Sequence, residues 1–484
     1  MQEGFEGELY RKLEEYSKSG RYAFHMPGHK RLVEGFENPF KIDITEIDGF
    51  DDLNHPKPDG VLTRAQERAA ALYGASETHF LVNGSTAGIL TAVRACTRSG
   101  DRLLMARNCH RSVYNAAELC MLEPVYVYPA GMTAEGITGP VAPAEIEKRL
   151  ISSDAAAVVL TSPTYDGVCS DVRAAAAVCH KYGKPLIVDQ AHGAHLAFSD
   201  YFPEDALKAG ADLVIHSLHK TLPSLTQTGL LHIQGNLVDR DKVRRYLSVF
   251  QTSSPSYVLM ASIDSCVTLI AEHGRELFEE YTQMLDEFRK ACAGLNNLRL
   301  EGKELLESFP YAGRADFDRS RLVVTTPEGL PGPGLMSMLR GKYGVEFEMS
   351  APRYVLGISG PADTKEGFER LYTALLKEDA AIGRGAKRIY LRDTLQYPEP
   401  PEAVLKPWEV DAGSGEDVLL QEAEGRISAE YIYLYPPGTP MLVPGERISR
   451  GTAAQIQRLQ DGGFTVQGVK DGKTLLCDRE KQRR

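Results

Sequence analysis

The stretch that decides the fold is Leu213-Val214-Ile215-His216-Ser217-Leu218-His219-Lys220-Thr221-Leu222-Pro223. Its short apolar run reads as a strand, and Lys220 lies in the polar turn that ends it. An earlier run, Pro185-Leu186-Ile187-Val188, ends on a carboxylate, Asp189. In open parallel sheets ligands collect at the carboxyl ends of strands. A lysine and a carboxylate at two neighbouring strand ends are what pyridoxal phosphate chemistry needs. The amine holds the cofactor aldehyde as a Schiff base. The carboxylate keeps the ring nitrogen protonated, so that the ring accepts electrons.

Outward from these two ends the text alternates. Helices are expected over 64–73, 86–97, 143–149 and 172–182, and strands over 79–82, 102–105, 125–128, 156–160, 185–188 and 213–215. Strands alternating with helical patterns imply an α/β fold with a mainly parallel sheet. Before it, Phe5, Leu9, Leu13 and Tyr16 share one helical face, and residues 31–60 read as irregular. So long an irregular segment is functional or packed on a partner. Beyond 270 the pattern changes to a smaller α+β unit. A helix shows Phe278, Tyr281, Leu285 and Phe288 on one face, and a strand is expected over 322–325. A later helix is expected to open at Asp363, with Glu366 three residues on completing a capping box. Residues 396–419, rich in Pro, Glu and Gly, read as a connection, and 426–476 as short strands and turns.

The chain of 484 residues, 43% hydrophobic and 25% charged, has the composition of a soluble globular protein of several domains. A net charge of −11 argues against a nucleic-acid binder. Eight cysteines with no Cys-x-x-Cys pair argue against a zinc or redox motif and fit a reducing cytoplasm. The N-terminus lacks the pattern of a signal peptide, and no run approaches the ~20 apolar residues of a membrane helix.

Asn83-Gly84-Ser85-Thr86-Ala87-Gly88 falls between a strand and a helix. Ser85 or Thr86 would cap the helix, and the free N–H groups at its start suit a phosphate. An ordinary capped glycine turn is the competing reading. His110 follows the strand over 102–105, placed either to stack on a flat ring and shuttle a proton or to hydrogen-bond its own loop. In Asp189-Gln190-Ala191-His192-Gly193-Ala194-His195, two histidines beside a carboxylate raise a metal site. The spacing is not His-Glu-x-x-His, and Gly193 weakens a helix between them. We read Asp189 as the partner of the ring nitrogen, His192 as a neighbour of the ring oxygen, and His195 as packing. Ser217 and His219 flank Lys220 and would complete a phosphate cup.

Together these phrases resemble the pyridoxal-phosphate-dependent ornithine/lysine/arginine decarboxylases, of the aminotransferase-like fold type I. The resemblance adds His25-Met26-Pro27-Gly28-His29-Lys30, the continuation Ser224-Leu225-Thr226-Gln227-Thr228, and Tyr435-Pro436-Pro437-Gly438-Thr439-Pro440 with Pro444-Gly445-Glu446. It covers nearly the whole chain. It implies an N-terminal interface segment over 1–60, a large cofactor domain over 61–290, a small α+β domain over 291–390 and a C-terminal domain over 391–484. It implies Lys220 as the attachment point, Asp189 on the pyridine nitrogen, and His110 stacked on the ring. Ser85, Thr86, Ser217 and His219 would hold the phosphate, and His192 would lie near the cofactor oxygen. Glu348, with Glu346 as its substitute, would face the distal cation of the substrate.

The resemblance further implies the short form of the family, working as a cytoplasmic homodimer with residues 21–60 reaching across the interface. The implied reaction is decarboxylation of arginine, lysine or ornithine to agmatine, cadaverine or putrescine, with a proton returned to Cα from His110 or Lys220. Two rivals remain at this point. One is an aminotransferase, with Arg353 gripping the substrate carboxylate. The other is a non-catalytic cofactor-binding pseudoenzyme, against which the intact Lys220 and Asp189 count.

Overall fold

The computed structural model describes residues 8–33, 38–45, 47, 50–311, 313–382, 400–410, 415–434 and 438–477. Phe5, Tyr435, Pro436 and Pro437, used above, lie outside the described residues. At the centre stands a seven-stranded sheet. In space its strands run Glu77–Leu81, Gly229–Ile233, Leu213–Ser217, Leu186–Asp189, Ala157–Thr161, Arg102–Ala106 and Glu123–Val127. Of these seven, Gly229–Ile233 alone runs against the others. Leu186–Asp189 and Leu213–Ser217 are buried along their whole length. Strands covered on both faces read as continuous apolar runs, not as alternation.

Helices Val61–Tyr73, Gly84–Cys96, Arg111–Leu119, Pro143–Ser153 and Val172–Lys181 connect the strands. Gly88 lets the second of these sit hard on the sheet: a Cβ there would lie 2.7 Å from Leu81 and 3.1 Å from Ile215. Beyond the large sheet, the helix expected around 278–288 is Tyr257–Cys292, 36 residues long. It leads into a four-stranded antiparallel sheet of Arg299–Leu300, Arg321–Thr325, Tyr354–Ile358 and Met349–Ala351. The N-terminal strand Tyr22–Phe24 pairs in parallel with Val345–Phe347. That pairing carries the loop at 25–30 to the edge of Glu348.

Three expectations need correction. The helix Lys365–Ala381 is capped by Thr364, whose side chain accepts from the Gly367 N–H, and not by Asp363. Asp363 is buried and turned inward. It accepts from the Gly360 N–H at 2.8 Å and from Tyr22 Oη at 3.0 Å, and lies 3.7 Å from the buried Lys30 ammonium. A buried amine gains more from that carboxylate than a helix end would. Next, Glu416–Leu419, inside the expected connection, is a strand paired antiparallel with Lys473–Leu476. Last, neither Ser85 nor Thr86 caps the helix Gly84–Cys96. Its N-cap is Asn83, which makes no side-chain capping bond and instead accepts from the Thr252 N–H.

Candidate active site

Strand register sets the site. Asp189 pairs with Ile215, so its side chain and the Ser217–Lys220 turn emerge at adjacent strand ends. A cavity of about 1540 Å³ opens there. Ser85, Thr86, His110, Asp189, His192, Ser217, His219, Lys220 and Glu348 all line it. Glu346 does not belong to this set. It is buried elsewhere, 3.1 Å from the Arg21 guanidinium and 3.0 Å from that of Arg340.

Lys220 sits in the four-residue helix Leu218–Thr221, and its Nζ lies 3.0 Å from His192 Nε2. Burial pulls the Lys220 ammonium down to about 8. The charges of Asp189 and Glu348 oppose this, and Arg321 adds to it. His192 is held well below its ordinary value by burial first, then by Lys220 and Arg321. It is therefore a neutral ring whose Nε2 accepts from the amine. Arg321, itself fully buried, donates to the His192 carbonyl at 2.5 Å. His195 turns away from the cavity and lies 3.1 Å from Asp318.

One Asp189 oxygen accepts from the Ala191 N–H at 3.1 Å. Among the described residues no donor meets the other oxygen, so an N–H entering the cavity finds an open acceptor there. His110 is the N-cap of the helix Arg111–Leu119. Its Nδ1 accepts from the Ser112 N–H at 3.2 Å, which leaves the proton of the neutral ring on Nε2. Burial holds His110 below its ordinary value, against Asp189 and together with Lys220.

The anion end is built from the uncapped start of the helix Gly84–Cys96. Ser85 Oγ is paired with Ser217 Oγ, which ties the two turns together. Gln227 fastens the same corner: its carbonyl accepts from the Gly84 N–H at 3.0 Å and its Nε2 donates to Val82 O at 2.6 Å. His219 Nδ1 donates to Thr228 O at 2.9 Å, and burial lowers the ring to about 4. A neutral His219 therefore shows a lone pair at Nε2, and only the protonated ring would donate to a phosphate from that atom.

Glu348 accepts from Tyr165 Oη at 2.7 Å and from the Met26 N–H at 2.9 Å. Arg353, the residue on which an aminotransferase reading rests, also lines the cavity. Sequence reasoning missed Tyr165, Gln227 and Met26 as site residues. Met26 and Gln227 stood inside recognised phrases, but the carboxylate and the backbone that they serve are 322 and 145 positions away.

One family model, Orn/Lys/Arg decarboxylase major domain, matches residues 7–307, and a second, the C-terminal domain of that family, matches 387–462. The chain belongs to the Orn/Lys/Arg decarboxylase family. Membership makes it a decarboxylase, a lyase acting on a carbon–carbon bond. It is 32% identical over 478 residues to an arginine decarboxylase of Bacillus anthracis, covering 96% of each chain. Its fold is similar to that of the Escherichia coli constitutive lysine decarboxylase, with a TM-score of 0.76 and 21% identity over 97% of this chain and 81% of that one. It is also similar to an alanine–glyoxylate aminotransferase from Nostoc, with a TM-score of 0.53 and 15% identity over 65% of this chain and 85% of that one.

Proposed function

We propose that this decarboxylase takes arginine, uses pyridoxal phosphate held at Lys220, and yields agmatine and carbon dioxide. When bound, that cofactor supplies an electron sink for the pair left by the departing carboxylate. The observation that carries the reading is the lowered Lys220 amine, 3.0 Å from a neutral His192, in one cavity with Asp189 and Glu348.

Lys220 is a free amine in a useful fraction at neutral pH. Asp189 would accept the ring N–H with the oxygen that Ala191 leaves free. Lys220, largely an ammonium at neutral pH, is the proton donor for Cα, and His110, which would stack on the ring, is its rival only when protonated. Ser85, Thr86 and Ser217, with the uncapped helix start, supply donors for a phosphate, and His219 joins them once protonated. His192 holds the Lys220 amine and would lie near the oxygen of the cofactor ring. Glu348 anchors the far cation of the substrate, which fixes the bond presented for cleavage. Arginine is favoured over lysine and ornithine because the relative matched over 96% of both chains is an arginine decarboxylase.

We further infer a homodimer working in the cytoplasm, with the division at residues 60, 290 and 390 given above. Leu9, Leu13, Phe40 and Ile47 are large apolar side chains left more than half exposed in the N-terminal segment, which supports a partner there. The eight cysteines are free, which suits a reducing compartment.

The test is carbon dioxide release from arginine, lysine and ornithine by the holoenzyme, with product analysis. Release from arginine foremost is expected. No release from any of the three removes the reading, and a keto acid product would select the aminotransferase and Arg353.

A further inference from the structure

Glu348 carries one protein hydrogen bond on each oxygen. Tyr165 Oη donates to Oε1 at 2.7 Å, and the Met26 N–H donates to Oε2 at 2.9 Å. The two donors come from opposite parts of the chain. Tyr165 lies just beyond the strand Ala157–Thr161 of the large sheet. Met26 belongs to the N-terminal loop, which is seated by Lys30: its buried Nζ donates to Ile358 O at 2.6 Å and to His25 O at 3.3 Å.

A carboxylate has about four acceptor positions, two on each oxygen. The protein fills one on each and leaves one on each. Two oxygens with one acceptance apiece match the parallel N–H pair of a guanidinium. An ammonium is a point charge and has no need of both.

We propose that Tyr165 is a positioning residue for substrate choice: with the Met26 N–H, its hydroxyl holds the Glu348 carboxylate as a fork that favours a guanidinium over an ammonium. This deepens the reading of Glu348 given above and rests on it. The Tyr165 ring also stands edge-on to His192, with ring centroids 4.6 Å apart, and His192 lies 3.0 Å from the Lys220 amine. One side chain thus touches both the group that holds the attachment lysine and the group that holds the far cation. The backbone donor at Met26 persists through any substitution but proline, so the hydroxyl is the half of the clamp that a side-chain change removes cleanly.

The experiment measures kcat/KM for arginine and for lysine with wild-type holoenzyme, Tyr165→Phe and Glu348→Gln. Tyr165→Phe removes one hydroxyl and keeps the ring against His192, so bound-cofactor absorbance should be unchanged. The arginine-to-lysine ratio should fall about tenfold, through KM for arginine, as expected for one lost hydrogen bond to a charged group. An unchanged ratio, an equal loss on both substrates, or loss of the cofactor absorbance in Tyr165→Phe overturns the inference. Glu348→Gln separates the two levels. If it leaves the ratio untouched, the reading of Glu348 fails. If it lowers the ratio while Tyr165→Phe does not, the role of Tyr165 fails alone.

Discussion

In the protein stripped of cofactor, Lys220 should react as an amine with a midpoint near pH 8, against 10.5 for an ordinary lysine. At pH 7 an ordinary lysine is the free amine in about 0.03% of molecules, and one at about 8 in about 10%, a gain of roughly 300-fold. Burial is the cause, because it penalises the ammonium and not the amine. Asp189 and Glu348 act the other way, so Asp189→Asn and Glu348→Gln should each move the midpoint below 8, by up to about one unit. The assay is competitive labelling with a limiting amine reagent across pH, read by mass spectrometry on the peptide that contains Lys220. A midpoint close to 10.5, or one that rises in Asp189→Asn, would rule out burial opposed by Asp189 as what sets this amine. The sign carries over to stability. Between about 8 and 10.5 the unfolded lysine keeps a proton that the folded one has lost, so the apo fold gains stability from this group as pH rises through that window.

Two further outcomes follow from packing. Arg107 and Glu446 form a buried ion pair at 3.0 Å that joins the C-terminal part of the chain to the loop bearing His110, so Arg107→Met should cost about 3–5 kcal/mol in denaturant unfolding by stranding the carboxylate. Gly28 donates to His219 O at 2.6 Å, and a Cβ there would lie 2.7 Å from Leu222 O. Gly28→Ala should therefore cost about 1–3 kcal/mol and weaken cofactor uptake measured by absorbance titration, because backbone has to move beside Lys220.

Most parallel strands of the large sheet were legible because they are buried on both faces and end on polar residues; Glu123–Val127, at the edge, is covered only in part. Asp189 and Lys220 stood out as the polar residues that close such runs. Gly229–Ile233 was not legible: it opens on a glycine and carries His232, whose Nδ1 lies 2.8 Å from Thr78 Oγ1 inside the core. Arg240–Phe250 carries Val243, Tyr246, Leu247 and Phe250 at helical spacing, so its stripe was readable although only Val243 and Leu247 are buried. Asp363 and Thr364 are both good caps in sequence. Tertiary partners chose between them, since Lys30 lies over 300 positions from Asp363 and takes its carboxylate. The same holds at the anion end. Ser85 reads as a helix cap locally, yet in the fold it meets Ser217, 132 positions away. Tyr165 carries no local signal of its role, because the carboxylate that it orients is 183 positions further on.

Attachment of the cofactor at Lys220 can be measured directly. The protein is loaded with pyridoxal phosphate, treated with borohydride and digested, and the modified peptide is sequenced by mass spectrometry. A single modified residue, Lys220, is expected, with none at the buried Lys30. Modification at Lys30, or a folded protein that carries none at Lys220, would contradict that attachment.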